Sequence, residues 1–294
     1  MPRILPFKQV DVFTTTLFKG NPVAVTNCMD IDESEISTEQ LQTIARWTNL
    51  SETTFLFNPT EPGCDYKLRI FTPGSELPFA GHPTVGSCKA FIEFTGCTKS
   101  NIVQQCGLGN IDLVVDSDEK ISFKAGATSI ESVDASLVRK YEATLDVKCI
   151  EEPKLLKVGP NWLVMLVDNS ETVLNIKPNL ADMAGLDAAN NHTGIIVGGL
   201  KKGCTTDDEY EIRAFAPNEG VPEDPVCGSG TLSFIRYLNE LNHYKEPKSL
   251  HISQGGVIGR DGHLYCKVDV QGDNKVDYYV GGYATAILNG TITL

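Results

Sequence analysis

Two glycine-rich turns hold most of the side chains that could do chemistry. The first reads Pro78-Phe79-Ala80-Gly81-His82-Pro83; the second reads Glu223-Asp224-Pro225-Val226-Cys227-Gly228-Ser229-Gly230. Each leads into an apolar stretch that reads as a buried helix. Pro83 is placed as the first residue of a helix running to about Phe94, and Ser229 to Tyr237 reads in the same way. A helix start exposes unpaired backbone N–H groups and about half a positive charge, so each turn can receive an anion such as a carboxylate. Gly81 and Gly228 let a ligand approach the backbone closely. His82 can give or take a proton near neutral pH. Ser229 can bond a carboxylate, and Asp224, which precedes a proline, sits on extended backbone. Cys227 at a helix start could carry a lowered thiol pKa. Each has an ordinary structural reading as well: His82 and Ser229 as helix caps, Asp224 as a turn residue, Cys227 as a small apolar side chain. Glu52 stands apart, in Asn49-Leu50-Ser51-Glu52-Thr53-Thr54-Phe55 between a helix and a strand, where by itself it reads as a solvated charge.

The elements that must position these groups form an internal repeat. Arg69-Ile70-Phe71-Thr72-Pro73 recurs 144 residues later as Arg213-Ala214-Phe215-Ala216-Pro217, an offset close to half of the 294 residues. After each copy comes a Glu/Pro-containing loop and then one of the two glycine-rich turns. The repeat predicts a duplicated domain, each copy a curved sheet around one central helix, with residues 1–130 and 131–294 as the two lobes. The polar stretch Ala125 to Pro153 contains the boundary, and the last strand, about 280–294, is expected to cross back to the first lobe. Short strand-like runs dominate: Val23 to Val25, Thr53 to Phe57, Tyr66 to Phe71 and Ile111 to Val115 in the first half. Trp162 to Val167, Gly194 to Val197, Glu211 to Phe215 and Leu264 to Val268 follow in the second. Ser37-Thr38-Glu39-Gln40 reads as a capping box that opens a helix carrying Leu41, Ile44, Ala45 and Thr48 on one side. The repeated arginines read as structural salt-bridge partners.

Composition narrows the function class. Hydrophobic residues make up 41% and charged residues 21%, which is globular, and a chain this long can bury a substantial core unaided. A net charge of −13 repels phosphate backbones, so no nucleic-acid partner is expected. The longest uninterrupted apolar run, Trp162 to Val167, is too short for a bilayer, and Met1 to Pro6 has no apolar core for a secretory leader. Nine cysteines, an odd number with no C-x-x-C pair, read as reduced thiols of a cytoplasmic protein with no metal site. There is no P-loop, no G-x-G-x-x-G after a strand and no nucleophile elbow, which disfavours nucleotide enzymes and serine hydrolases.

Four motifs then converge: Asn-Leu-Ser-Glu-Thr-Thr-Phe (49–55), Arg-Ile-Phe-Thr-Pro (69–73), Pro-Phe-Ala-Gly-His-Pro-Thr (78–84) and Glu-Asp-Pro-Val-Cys-Gly-Ser-Gly (223–230). Together with Phe18-Lys19-Gly20-Asn21-Pro22-Val23-Ala24-Val25 they resemble the phenazine-biosynthesis (PhzF-like) isomerase family, in a eukaryotic, yeast-like form, over almost the whole chain. The resemblance implies an α+β fold of two pseudo-symmetric lobes, each a curved, mostly antiparallel sheet wrapped around a central helix, as in diaminopimelate epimerase and proline racemase. It also implies a homodimer. In the phenazine enzyme a glutamate of the Ser-Glu-Thr motif shuttles a proton on a dihydro-hydroxyanthranilate ring without a cofactor. Carried over, Glu52 is that acid/base, His82 and Asp224 are its catalytic companions, and Gly81, Gly228 and Ser229 bind substrate. The chain departs from the pattern at Cys227, where the phenazine enzymes usually have threonine. Related racemases keep a catalytic cysteine at that turn and another at the partner turn, where this chain has Ala80.

The expected reaction is cofactor-free transfer of a proton on a small carboxylate-bearing substrate, with Glu52 as a single base in a cleft between the lobes. Preorganised N–H donors at the helix starts would stabilise the developing carbanion or enol, at about 3 kcal/mol each. Exclusion of water would raise the Glu52 pKa toward neutrality, as a general base requires. Two alternatives stay open. One is an amino-acid racemase or epimerase that uses Cys227 with another base; the other is a non-catalytic small-molecule binder on the same fold.

Overall fold

A computed structural model describes residues 3–271 and 275–294; Met1 and Pro2, the first residues of the segment read above for a leader, lie outside them. The chain divides into two compact units, residues 1–124 with 281–294, and residues 125–280. The boundary thus falls at Lys124/Ala125 rather than at 130/131. The reason is that Ser129–Ser132 is a strand antiparallel to Lys154–Lys157 of the second unit.

In the first unit the strands are β1 (Ile4–Val12), β2 (Asn21–Asn27), β3 (Glu52–Phe57), β4 (Tyr66–Phe71), the two-residue β5 (Glu76–Leu77), β6 (Asn101–Cys106), β7 (Gly109–Val115) and β8 (Ile121–Lys124). The C-terminal strand Ala284–Thr293 pairs antiparallel with β1, and β1 with β2. β2 runs parallel to β3, β3 antiparallel to β4, β4 parallel to β6, and β6 antiparallel to β7. Helix α1 (Thr38–Thr48) links β2 to β3, and α2 (Gly81–Thr95) links β5 to β6. α1 opens on the expected capping box: Gln40 N donates to Ser37 Oγ at 3.2 Å, and Ser37 N donates to Gln40 Oε1 at 2.9 Å.

Strand alternation sorts the side chains of β3 between the two helices. Phe55 and Phe57 join Leu41 and Ala45 of α1 in one core cluster, while Thr54 Oγ1 lies 2.8 Å from Ser87 Oγ of α2. α2 is buried on almost every side and packs on β1, β2, β3, β4, β8 and the C-terminal strand, so the sheet wraps it. Gly86 permits this approach: a Cβ there would stand 2.4 Å from Val23 Cγ1 and 2.8 Å from Val12 Cγ2. The helix begins at Gly81, two residues before the position expected from Pro83, which occupies the third helical position. A proline is tolerated in the first turn because its missing N–H has no intrahelical partner there.

The second unit repeats this order. Its strands are β9 (Ser129–Ser132), β10 (Lys154–Lys157), β11 (Asn161–Val167), β12 (Gly194–Leu200), β13 (Glu209–Ala216), β14 (Val221–Asp224), β15 (Lys248–Gln254), β16 (Gly262–Val270) and β17 (Val276–Gly282), the last of which leads back to the first unit. The ladders run antiparallel for β9–β10 and β10–β11, parallel for β11–β12, antiparallel for β12–β13, parallel for β13–β15 and antiparallel for β15–β16. That is the first unit's sequence of senses, with β9 in the role of the C-terminal strand. Its central helix, α6 (Gly228–Asn242), lies between β14 and β15 as α2 lies between β5 and β6.

Three further helices, α3 (Ala135–Leu145), α4 (Ser170–Asn175) and α5 (Leu180–Asn190), are additional to the sequence expectation; α3 occupies the stretch read there as a polar boundary. Each opens on a side-chain cap, from Asp134, Asn169 and Asn179 respectively, and α3 and α5 end on left-handed Asp146 and Asn191. With asparagine and aspartate at the helix ends in place of glycine, these segments read as loop.

The repeated arginines anchor equivalent loops. Arg69 forms a two-pronged bond to Glu76 at 2.7 Å on each arm, and Arg213 does so to Glu223 at 2.9 and 2.8 Å.

Candidate active site

Glu52 is the first residue of β3, and His82 is the second residue of α2. Alternation puts Glu52 on the same face as Thr54, toward α2. There Glu52 Oε2 stands 3.1 Å from His82 Nε2, with the two side chains 16% and 8% exposed. Among the described residues Oε2 of Glu52 has no hydrogen-bond partner, so this approach is a close pairing and not a hydrogen bond. Burial pushes the Glu52 carboxyl up to about 7, against the Ser51 side chain, whose hydrogen bond acts to lower it. A group near neutrality can both accept and return a proton, which is what an acid/base needs.

Several contacts fix this geometry. Thr54 Oγ1 also donates to the Ala24 carbonyl at 3.1 Å. In α2, Thr84 Oγ1 accepts from Gln104 Nε2 at 3.1 Å, and Gln104 Oε1 accepts from Tyr66 OH at 3.0 Å. Gln104 and Tyr66 are fully buried, and sequence reading did not find them; a glutamine inside a strand carries no distinguishing spacing. The residue before α2 is Ala80, which offers no side-chain cap. His82 lies inside the first turn of α2, past the N-cap position, with its Nε2 near Glu52 Oε2.

In the second unit Asp224, Cys227, Gly228 and Ser229 gather at the start of α6. Asp224 Oδ1 accepts from Val226 N at 3.2 Å. Gln254, at the end of β15, ties the turn from both sides: its Nε2 donates to the Asp224 carbonyl at 2.7 Å, and its Oε1 accepts from Cys227 N at 2.9 Å. The N-cap is Cys227, whose Sγ accepts from Gly230 N at 3.2 Å. Ser229 lies inside the helix and its Oγ accepts from Trp162 Nε1 at 3.0 Å. The thiol expectation is corrected here. Burial, reinforced by the neighbouring Asp224 carboxylate, holds Cys227 well above the ordinary thiol range, and this outweighs the helix start. Such an environment favours the neutral thiol over the thiolate.

The sheet registers identify the counterpart of Glu52. Thr53 faces Phe71 on β4, and Ile195 faces Phe215 on β13; Phe71 and Phe215 are matched in the repeat, so Glu52 corresponds to Gly194. At this position the first unit carries a carboxylate and the second a glycine. Among the described residues no group of three or more His, Cys, Asp or Glu is arranged to hold a metal, and no helix is long and apolar enough to cross a membrane.

Comparison with known proteins identifies the family. The family described as phenazine biosynthesis-like protein matches residues 10–290. Antisense-enhancing sequence 1 of Schizosaccharomyces pombe is 38% identical, with 97% of each chain covered. Trans-2,3-dihydro-3-hydroxyanthranilate isomerase of Pseudomonas aeruginosa is 28% identical over 96% of each. A PhzF-family crystal structure from Enterococcus faecalis superposes with a TM-score of 0.80 at 26% identity, covering 99% of this chain and 100% of that one. The chain thus belongs to the phenazine-biosynthesis-like family, which has the two-fold-repeated α+β fold described above and includes proteins named as isomerases.

Proposed function

We propose that the protein is a cofactor-independent isomerase in which Glu52 takes a proton from carbon on a small carboxylate-bearing substrate and returns it to another carbon or to the opposite face. One observation carries this: a carboxyl held at a strand start beside His82, with burial raising it to about 7. Its neutral and ionised forms are then both populated near pH 7, which favours transfer in either direction. His82, 3.1 Å from Oε2, is proposed to share or relay that proton. The start of α2, the positive end of its helix dipole, is suited to the negative charge that develops on the substrate. Asp224, Gly228 and Ser229 are assigned to the same reaction on the strength of the internal repeat and the family motif.

The relative from Pseudomonas aeruginosa, named for a ring-bearing amino acid, supports a substrate that pairs a carboxylate with an activated C–H bond. The raised thiol of Cys227 speaks against the racemase alternative. The test is uptake of solvent deuterium into a panel of small carboxylic acids. Wild type is expected to label at least one acid, and Glu52→Gln to label none while still binding it. Binding without exchange in the wild type would favour the non-catalytic reading; full exchange by Glu52→Gln would remove Glu52 from the mechanism.

A further inference from the structure

We propose that Trp162 is a positioning residue that fixes Ser229 as a hydrogen-bond donor toward a ligand carboxylate; this rests on the binding role proposed for Ser229. Trp162 is 3% exposed and stands in β11 directly opposite Gly194 in the parallel β11–β12 register. Gly194 is the counterpart of Glu52, and a Cβ there would lie 1.9 Å from the Phe215 carbonyl oxygen. Ser229 is the counterpart of His82, since Gly228 and Gly81 both open the central helices. Where the first unit sets a carboxylate against an imidazole, the second sets an indole N–H against a hydroxyl.

The donor and acceptor inventory gives that replacement a direction. A serine hydroxyl has one proton and two lone pairs, whereas the indole nitrogen can only donate. The bond from Trp162 Nε1 at 3.0 Å therefore occupies a lone pair of Ser229 Oγ and leaves its proton to point elsewhere. The neighbour at hand is Cys227 Sγ, 3.6 Å away, and sulfur is a weak acceptor. Replacing sulfur by a carboxylate oxygen exchanges a weak bond for a charge-assisted one. Trp162 thereby biases Ser229 toward anions and against neutral ligands of the same shape.

Benzoate and its neutral isostere benzamide are the probes, compared by calorimetry. Wild type is expected to prefer benzoate. Trp162→Phe, which keeps a ring but loses the N–H, should cut that preference about five- to tenfold, in line with loss of one hydrogen bond that orients a charged pair. Trp162→His, which restores a ring N–H, should recover part of it. A role in packing alone would lower thermal stability in both variants and leave the benzoate-to-benzamide ratio unchanged, and that result overturns the proposal. If Trp162→Phe fails to fold, Trp47→Phe leaves Trp162 as the sole tryptophan of the two in the chain. Its emission should then shift on adding benzoate and should not shift when Ser229→Ala is added; an unresponsive emission counts against the proposal. Equal binding of both probes by wild type would overturn carboxylate recognition at Ser229 together with this inference, and would leave the Glu52 exchange test standing.

Discussion

Replacing Glu52 by glutamine should make the protein more stable in alkali and leave it unchanged in acid. The carboxyl is raised from 4.5 to about 7 because burial favours its neutral form. The native state consequently keeps a proton that the unfolded chain releases once the pH exceeds 4.5. The associated stability is complete below 4.5 and is lost as the pH rises through 7. Each pKa unit corresponds to about 1.4 kcal/mol, so wild type forfeits about 3 kcal/mol across this window. Glutamine matches the neutral carboxyl in shape and does not ionise, so the variant has no such loss. The melting temperature of Glu52→Gln relative to wild type should therefore rise by roughly 6–12 °C between the acid and alkaline ends of the window. Differential scanning calorimetry at a series of pH values measures this directly. A difference between the two proteins that stays constant with pH would show that Glu52 titrates as an ordinary carboxylate, and the acid/base assignment would lose its physical basis.

Three further outcomes follow from the same geometry. Ser51→Ala removes the hydrogen bond that lowers the Glu52 pKa, so the pH at which solvent-deuterium exchange switches on should move to the alkaline side; a profile unmoved by the change would contradict the assigned contact. Arg213→Ala strands the largely buried Glu223 carboxylate and takes the arginine donor from the Val173 and Ile176 carbonyls, at a cost of about 3–5 kcal/mol in chemical denaturation. Its repeat counterpart Arg69→Ala, on a more exposed ion pair, should cost only about 1 kcal/mol. Cys227→Ser should retain exchange activity to within a few-fold, and the native thiol should react slowly with thiol reagents, because burial and Asp224 keep it protonated.

The sequence alone determined the duplication, the central helices and the capped start of α1, because each is written in local spacing: a repeated Arg-x-Phe-x-Pro, a glycine-rich turn before an apolar run, a serine three residues before a glutamine. It also marked Glu52, His82 and Ser229, though Glu52 only through its likeness to a family, since a single glutamate between a helix and a strand has no pattern of its own. Tertiary structure decided what those side chains do. Strand alternation in β3 turned Glu52 onto α2 beside His82, and burial there raised its pKa. The same kind of burial reversed the expectation for Cys227. Register revealed Gly194 as the counterpart of Glu52, and folding placed the Trp162 indole on Ser229, 67 residues away in sequence. Protonation state and donor direction depend on how much water a fold excludes and on which groups it brings within 3 Å of one another, and neither quantity exists until the strands have paired.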